Sequence, residues 1–207
     1  IVEGFTIEEC QPPSGSSVGA GILCYYSDLT VNNCVIRNNN SSTAGGLNAR
    51  FSNIQILDTD IQNCVTESNG GGLFIQSCET VLIDGCMIVG CSGGMGGGAY
   101  FYNCDDVVVS GSSINGCTAV ERGGGIVFSY SSGVVTETDI SDNLAFYEAG
   151  GIHVVKSTVT LVESSVCSNT PDQIYGPWVN DGGNAVVDVC PWYQGACCTN
   201  DICTVAT

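Results

Sequence analysis

The stretch "GGGLFIQSC" at residues 70–78 is a run of three glycines that leads directly into an apolar segment. Near-copies occur at residues 96–104, "GGGAYFYNC", and at residues 123–131, "GGGIVFSYS". A triplet of one small residue, one glycine and one apolar or small residue recurs six times, as Ala20-Gly21-Ile22, Gly45-Gly46-Leu47, Gly71-Gly72-Leu73, Gly97-Gly98-Ala99, Gly124-Gly125-Ile126 and Gly150-Gly151-Ile152. Successive triplets lie 25, 26, 26, 27 and 26 residues apart, so the chain is an array of structural repeats.

Two aliphatic sets of positions keep the same period. The first is Ile7, Ile36, Ile61, Ile88, Ile114, Ile140 and Val166, and the second is Val2, Val31, Ile56, Ile83, Val109, Val135 and Leu161. Within each repeat, as in "TVLID" at 80–84, apolar residues alternate with others, which is the period of a β-strand. A propeller blade needs about 40 residues, which is more than one repeat supplies.

The repeat length instead predicts a coil of parallel strands, in which each circuit forms one rung and equivalent residues stack about 4.8 Å apart. We predict an all-β, single-stranded parallel β-helix of about seven rungs, with three short strands in each rung. The glycine pairs are expected at corners, where backbones approach closely. A second corner is expected at the alternating Asn and Cys set Cys10, Asn39, Cys64, Cys91, Cys117, Asn143 and Asn169.

Composition narrows the range of partners. The 207 residues include 21 acidic and 4 basic side chains, for a net charge of −17, which repels nucleic acid. The sequence has no apolar run long enough to span a bilayer. The 14 cysteines favour an oxidising, extracellular or cell-surface location. Asn39 and Asn40 each begin an Asn-x-Ser sequon and are candidate glycosylation sites, although chance matches are common in such loops.

The two ends of the sequence differ from the repeats. Residues 1–10 align with the later half of a rung, so an open first rung is expected to contact another copy or a neighbouring domain. The repeat domain is predicted to cover residues 1–176, and residues 177–207 to form an irregular cap. Cysteines crowd into the cap, and Cys78 and Cys104 form a further pair; the disulfide candidates are therefore Cys190, Cys197, Cys198, Cys203, Cys78 and Cys104. A zinc site would need a paired C-x2-C spacing that the cap lacks.

The segments "ISDNLAFYEAGGI" at 140–152, "INGCTAVERGGGI" at 114–126 and "IQNCVTESNGGGL" at 61–73 resemble the repeats of polymorphic outer-membrane proteins. In that family FxxN and GGA[ILV] motifs recur along a secreted right-handed parallel β-helix. The likeness spans residues 18–170, with Ile in place of Phe and often Cys in place of Asn. Related repeats occur in adhesins and in the pectate-lyase-like superfamily, so the resemblance implies an extracellular right-handed solenoid and leaves its partner open.

No catalytic set emerges from the sequence. The basic residues are scattered, the Asp105-Asp106 pair is expected in a solvated turn, and the single histidine, His153, is expected on the surface. No cofactor is predicted. The one metal hypothesis is calcium at Glu137 and Glu163 on adjacent rungs, with Asp58 further along, against the alternative of a solvated acidic face.

A row of outward positions with aromatic neighbours forms a candidate contact surface, unless loops fold over it; its members are Leu23, Tyr25, Phe74, Tyr100, Tyr102 and Val127. The preferred hypothesis is a non-enzymatic extracellular structural or adhesive module. It would be part of a longer surface protein or a protomer that stacks end to end in a filament. The alternatives are a polysaccharide lyase or hydrolase and a carbohydrate-binding module on the same fold.

Overall fold

The computed structural model describes residues 1–11 and 21–190, together with the backbone of two short strands, Cys197–Thr199 and Ile202–Thr204. Every regular element among these residues is a β-strand. Over this part of the chain no helix is long and apolar enough to cross a bilayer. The last two strands pair antiparallel with each other, and the strands before them pair in parallel with their counterparts one repeat away.

Each rung of the coil passes through four parallel sheets, numbered here in chain order. Sheet 1 has eight strands: Val2–Glu3, Leu29–Asn32, Ile54–Leu57, Thr80–Asp84, Asp106–Ser110, Gly133–Thr136, Val159–Val162 and Trp178–Asn180. Sheet 2 also has eight: Thr6–Glu8, Val35–Arg37, Asp60–Gln62, Met87–Val89, Ser113–Asn115, Asp139–Ser141, Ser165–Cys167 and Ala185–Val187.

Two further sheets complete the circuit. Sheet 3 has five strands: Asn40–Ser41, Val65–Thr66, Ser92–Met95, Thr118–Arg122 and Leu144–Ala145. Sheet 4 has seven: Ile22–Tyr25, Leu47–Arg50, Leu73–Gln76, Ala99–Tyr102, Ile126–Ser129, Ile152–Val155 and Ile174–Tyr175. The sequence predicted three strands in each rung, and sheet 3 is the additional one. Several of its strands have only two residues, which is too short to show a period-two pattern.

The predicted aliphatic ladders are confirmed residue by residue. In sheet 2 Ile88 pairs with Ile61 on one side and Ile114 on the other, and in sheet 1 Ile83 pairs with Ile56 and Val109. Side chains of both ladders are buried in one continuous core. One rung cannot bury its own apolar face, so the stack of rungs is the unit that is stable.

The glycine runs lie where sheet 3 leads into sheet 4. A Cβ atom on Gly72 would lie 2.6 Å from the carbonyl oxygen of Gly98, and one on Gly98 would lie 2.7 Å from that of Gly125. Successive backbones therefore approach too closely at this corner for any side chain, and the glycine pair recurs in each rung for that reason.

Buried side chains link the rungs at the other three corners. Between sheets 2 and 3 the amide of Asn143 accepts a hydrogen bond from the Cys117 nitrogen at 2.9 Å and donates one to the Ile114 carbonyl at 2.9 Å. Between sheets 1 and 2 the Ser112 hydroxyl accepts one from the Cys86 nitrogen at 3.0 Å. The bonds to the Cys117 and Cys86 nitrogens satisfy backbone groups that the turn of the chain would leave unpaired.

The coil continues beyond the predicted boundary at residue 176. Trp178–Asn180 extends sheet 1 and Ala185–Val187 extends sheet 2. The side chains of Trp178 and Val186 pack against the end of the core. A disulfide between Cys167 and Cys190 joins the end of this last rung to the rung before it.

Candidate functional site

The corner between sheets 4 and 1 presents aromatic side chains from a strained backbone. Each rung places one residue there in the left-handed region, and the set is Tyr26, Phe51, Ser77, Asn103, Tyr130 and Lys156, with φ between 49° and 54°. Tyr26 is 72% exposed, Phe51 42% and Tyr130 47%. Large aromatic residues are uncommon at positive φ because Cβ then crowds the following carbonyl.

The exposed rings at the first two rungs of this corner contact one another. Tyr26 and Phe51 stack in parallel, with ring centroids 4.8 Å apart, and Tyr25 meets Tyr26 edge-on at 5.4 Å. The guanidinium of Arg50 lies 5.8 Å from the centre of the Tyr25 ring and 5.1 Å from that of Phe74. The result is a solvent-exposed aromatic platform.

A second aromatic group follows two rungs further along the same corner. Tyr102 meets Tyr130 edge-on at 5.8 Å, and the Lys156 ammonium lies 4.7 Å from the centre of the Tyr130 ring. The Lys156 ammonium also donates a 2.6 Å hydrogen bond to the Tyr130 hydroxyl, and this bond raises the pKa of Lys156. We call Tyr25, Tyr26, Phe51, Tyr102 and Tyr130 the aromatic strip.

The predicted contact row is only partly exposed. Leu23 and Tyr25 are exposed as expected, and Tyr102 is partly buried. Phe74 and Tyr100 are 7% exposed and Val127 is 2% exposed, so the prediction of an exposed row is wrong for these three. They lie outside the main core, in a second apolar cluster that Ala44 completes and against which Met95 packs.

His153 is buried on the same face, although the sequence predicted a surface position. Its Nε2 lies 3.1 Å from the Glu148 carboxylate, which also accepts a 2.9 Å ion-paired hydrogen bond from Arg122. The ring stacks on Tyr175 at 5.5 Å. Burial lowers the pKa of His153, and Nδ1 is buried without a hydrogen-bond partner. No sequence pattern indicated this cluster, because Arg122 and His153 are 31 residues apart along the chain.

The predicted disulfides are mostly not formed in the described part of the chain. Cys78 and Cys104 are free thiols, each 1% exposed, so that prediction is wrong. Cys190 is bridged as expected, but its partner is Cys167, which the sequence did not single out. The side chains of Cys197, Cys198 and Cys203 lie outside the described residues.

The free thiols occupy the corner ladders in place of hydroxyl and amide groups. The Cys117 thiol donates to the Ile88 carbonyl at 3.7 Å, as the Asn143 amide donates to Ile114 one rung on. Cys78 and Cys104 share a hydrogen bond that lowers the pKa of Cys78 and, together with burial, raises that of Cys104. Burial raises the pKa of Cys86 to about 11. All of these cysteines are buried and fill the corners as small packing groups.

The two sequons differ in accessibility. Asn39 is fully buried, and its amide nitrogen donates to the Ile7 carbonyl at 3.1 Å while its oxygen accepts from the Cys10 nitrogen at 2.9 Å. A folded chain cannot carry a glycan there, so Asn39 is wrong as a candidate. Asn40 is exposed, and its glycosylation stays a prediction.

The proposed calcium residues all lie at the left-handed corner between sheets 1 and 2. Glu137 and Glu163 occupy adjacent rungs, whereas Gly85 and Gly111 fill the two rungs between Asp58 and Glu137. Within the described ranges, no group of three or more acidic, histidine or cysteine side chains is placed to hold a metal ion. Calcium binding by the Glu137–Glu163 pair stays a prediction.

Comparison with known proteins agrees with this architecture. The sequence model of the family described as "Right handed beta helix region" matches residues 20–191. No curated protein matches the chain at a significant level.

Proposed function

Because the chain belongs to the right-handed β-helix family, a fold on which the exposed corners are the positions free to vary, we propose that it is a non-enzymatic extracellular adhesive module that binds glycan chains along the aromatic strip. The strip follows the corner between sheets 4 and 1 along the coil, with rings in four rungs and none in the rung of Ser77. Aromatic rings offer a flat apolar face to the C–H face of a sugar ring and little conformational entropy is lost when they bind.

The observation that carries this proposal is the left-handed backbone beneath the rings. At the corners between sheets 1 and 2 and between sheets 2 and 3, the equivalent positions are mostly Gly, Asn, Asp or Glu. Glycine and asparagine adopt this conformation at the lowest steric cost. Tyr26, Phe51 and Tyr130 cost about 1–2 kcal/mol each at such positions. Strain retained at an exposed ring is a signature of a binding role.

Paired substitutions test the proposal. Tyr26→Asn and Phe51→Asn remove a ring and relieve the backbone at once, so stability should stay level or rise by about 1 kcal/mol. The affinity for oligosaccharides, measured by calorimetry after a glycan array has identified binders, should fall at least tenfold. Phe146→Asn removes a ring that is 67% exposed elsewhere on the coil and should change neither quantity. Binding that survives Phe51→Asn, or an array without binders, contradicts the proposal.

The extracellular location is supported by the Cys167–Cys190 disulfide and the exposed sequon at Asn40. Expression in a secreting eukaryotic host should attach a glycan to Asn40 and none to Asn39. We further propose kinship with the repeats of polymorphic outer-membrane proteins. The Asn143 and Asn169 amides support this, since both bridge adjacent rungs at the position of that family's asparagine.

A second candidate function, a carbohydrate-active enzyme, is favoured by the Arg122–Glu148–His153 cluster. The Glu148 carboxylate is 31% exposed and lies between a guanidinium and an imidazole, an arrangement suited to general acid–base chemistry. A screen for release of reducing or unsaturated ends from polysaccharides tests it. Turnover that Glu148→Gln abolishes would replace the adhesive proposal, and turnover that this variant retains would exclude the cluster.

A further inference from the structure

A row of carboxylates lies beside the aromatic strip, on the side that leads into sheet 1. Asp28, Glu79, Asp105 and Asp106 are all exposed there, and we call them the acidic row. Glu79 and Asp105 are one-residue insertions in their rungs. Two residues separate Cys78 from the core residue Val81, whereas one residue separates Ser52 from the equivalent Ile54. The rungs that are longer at this corner are thus the rungs that add a negative charge.

A shallow groove of about 280 Å³ joins the two features, and it is lined by Asp28, Phe51, Ser52, Asn53, Ser77 and Glu79. The backbone nitrogen and Nδ2 of Asn53 both donate to Asp28 Oδ1, at 3.2 and 3.0 Å. Thr80 in turn donates to Asn53 Oδ1 at 2.9 Å. Asp28 is therefore held in a fixed orientation beside the Phe51 ring. A preoriented charge next to an aromatic face binds a ligand with less loss of entropy than a mobile one.

No basic side chain lines this groove. Arg37 is paired with Glu8 and Arg122 with Glu148. Arg50 lies over aromatic rings and Lys156 bonds to Tyr130. With a net charge of −17, the surface repels uronic acids and sulfated sugars and attracts cations.

We propose, on the basis of the glycan-binding function above, that the groove selects sugar chains with free amino groups, that is, hexosamine polymers. The ammonium group of one sugar pairs with Asp28 and Glu79, and its ring packs on Phe51, which lines the same groove. Ammonium groups are also attracted to aromatic faces, so the strip and the acidic row favour the same ligand. Exposed pairs of this kind are screened by salt, which makes the binding dependent on ionic strength.

The test compares three oligosaccharides of equal length by titration calorimetry: a hexosamine oligomer with free amines, its N-acetylated form, and a neutral glucose oligomer. Below the pKa of the sugar amine, the free-amine oligomer should bind at least tenfold more tightly than the other two, and raising the salt from low to high should remove that advantage. The double variant Asp28→Asn/Glu79→Gln should reduce its affinity to that of the acetylated oligomer.

The double variant Glu137→Gln/Glu163→Gln is the matched control, because it removes the same charge from the corner between sheets 1 and 2. It should leave the preference for free amines intact. If both double variants lose the same affinity for the free-amine oligomer, the groove is not the site that selects free amines. Equal, salt-independent affinity for all three oligomers overturns the amine preference while leaving the proposed function in place. Binding of none of the three overturns both.

Discussion

Replacing Asn143 is expected to destabilise the coil more than any surface change, because its amide bridges two rungs. The side chain is 1% exposed; its oxygen accepts from the Cys117 nitrogen at 2.9 Å, and its nitrogen donates to the Ile114 carbonyl at 2.9 Å. Asn143→Ala leaves the Cys117 nitrogen buried without its side-chain partner and removes the additional bond to the Ile114 carbonyl, which lies in a paired strand. The unpaired nitrogen costs about 1–3 kcal/mol and the lost bond about 0.5–1.5 kcal/mol, roughly 1.5–4.5 kcal/mol together.

The chain itself supplies the intermediate case. Asn143→Cys introduces the residue found at this position in four other rungs. In three of them the thiol donates to the equivalent carbonyl, as Cys91 does to Ile61 at 3.7 Å. The introduced thiol recovers the bond to Ile114 but is a weak acceptor for the Cys117 nitrogen. The cost of the unpaired Cys117 nitrogen, roughly 1–3 kcal/mol, should therefore remain.

Urea unfolding followed by circular dichroism measures these differences as shifts in midpoint at constant slope. Hydrogen exchange at the Cys117 amide gives a local readout, since its protection should collapse in Asn143→Ala. Asn115→Ala is the control. The Asn115 side chain is partly exposed and donates a hydrogen bond to the Ser113 hydroxyl, so its removal should change the free energy of unfolding by less than about 0.5 kcal/mol. If Asn143→Ala and Asn115→Ala have the same midpoint, the corner amides do not stabilise the coil.

Three further outcomes follow from buried titratable groups. Burial raises the pKa of Asp139, whose Oδ1 has no hydrogen-bond partner. The folded state therefore favours the protonated carboxyl, and the stability that Asp139 contributes is lost as the pH rises from about 3.8. Asp139→Asn should raise the melting temperature at pH 7, whereas Asp60→Asn, at the equivalent position, should not. Burial lowers the pKa of His153, so its contribution is present above about pH 6.5 and is lost as the pH falls through the folded-state pKa; His153→Gln should flatten that part of the stability–pH curve, and an unchanged slope would contradict it. Native labelling with iodoacetamide should modify Cys10 first, because the other free thiols in residues 21–190 are buried; mass spectrometry of the peptides would show an early label elsewhere if this is wrong.

The aliphatic ladders were predictable because the same residues follow two independent periods, the two-residue period of a strand and the repeat length of the coil. Alternation placed Ile61 and Ile88 on the inner face of a strand, and the 26-residue repeat placed one above the other. In a parallel stack any other register would put unlike residues in contact and expose the apolar face. The fold could therefore be derived from the residues without reference to any relative.

The surface was less predictable because alternation shows which way a side chain points and not what covers it. Phe74, Tyr100 and Val127 point away from the main core as expected, yet Ala44 packs with them and Met95 lies against them. Ala44 comes from the loop between sheets 3 and 4, and Met95 is the last residue of the sheet 3 strand in its rung; the length of this segment varies between rungs. Position in the repeat therefore identifies which side chains lie on the outer face of a strand. Whether those side chains are buried depends on neighbouring segments whose sequence does not repeat.

The cysteine count was misleading for a related reason. Fourteen cysteines suggest a disulfide framework, but the residues described here hold one disulfide and nine free thiols. The free thiols replace Ser, Thr and Asn at corners that require a small buried group. Cys104, for example, lies one rung from Ser131, whose hydroxyl accepts from its nitrogen at 2.9 Å. Spacing at the repeat period indicated a structural role for these cysteines.

In this fold the core residues determine stability, and the exposed corner residues are available for function. All four corners hold residues in the left-handed region, and three of the four corner columns are filled mostly by residues that tolerate it. The interior cannot vary, because each core residue packs on its counterpart in the next rung. A left-handed corner residue such as Phe51 is 42% exposed and contributes little to that packing, so selection for binding can act on it independently. If so, Phe51→Gly should stabilise the protein while weakening glycan binding, whereas a ring retained for stability would give the opposite sign in thermal melts.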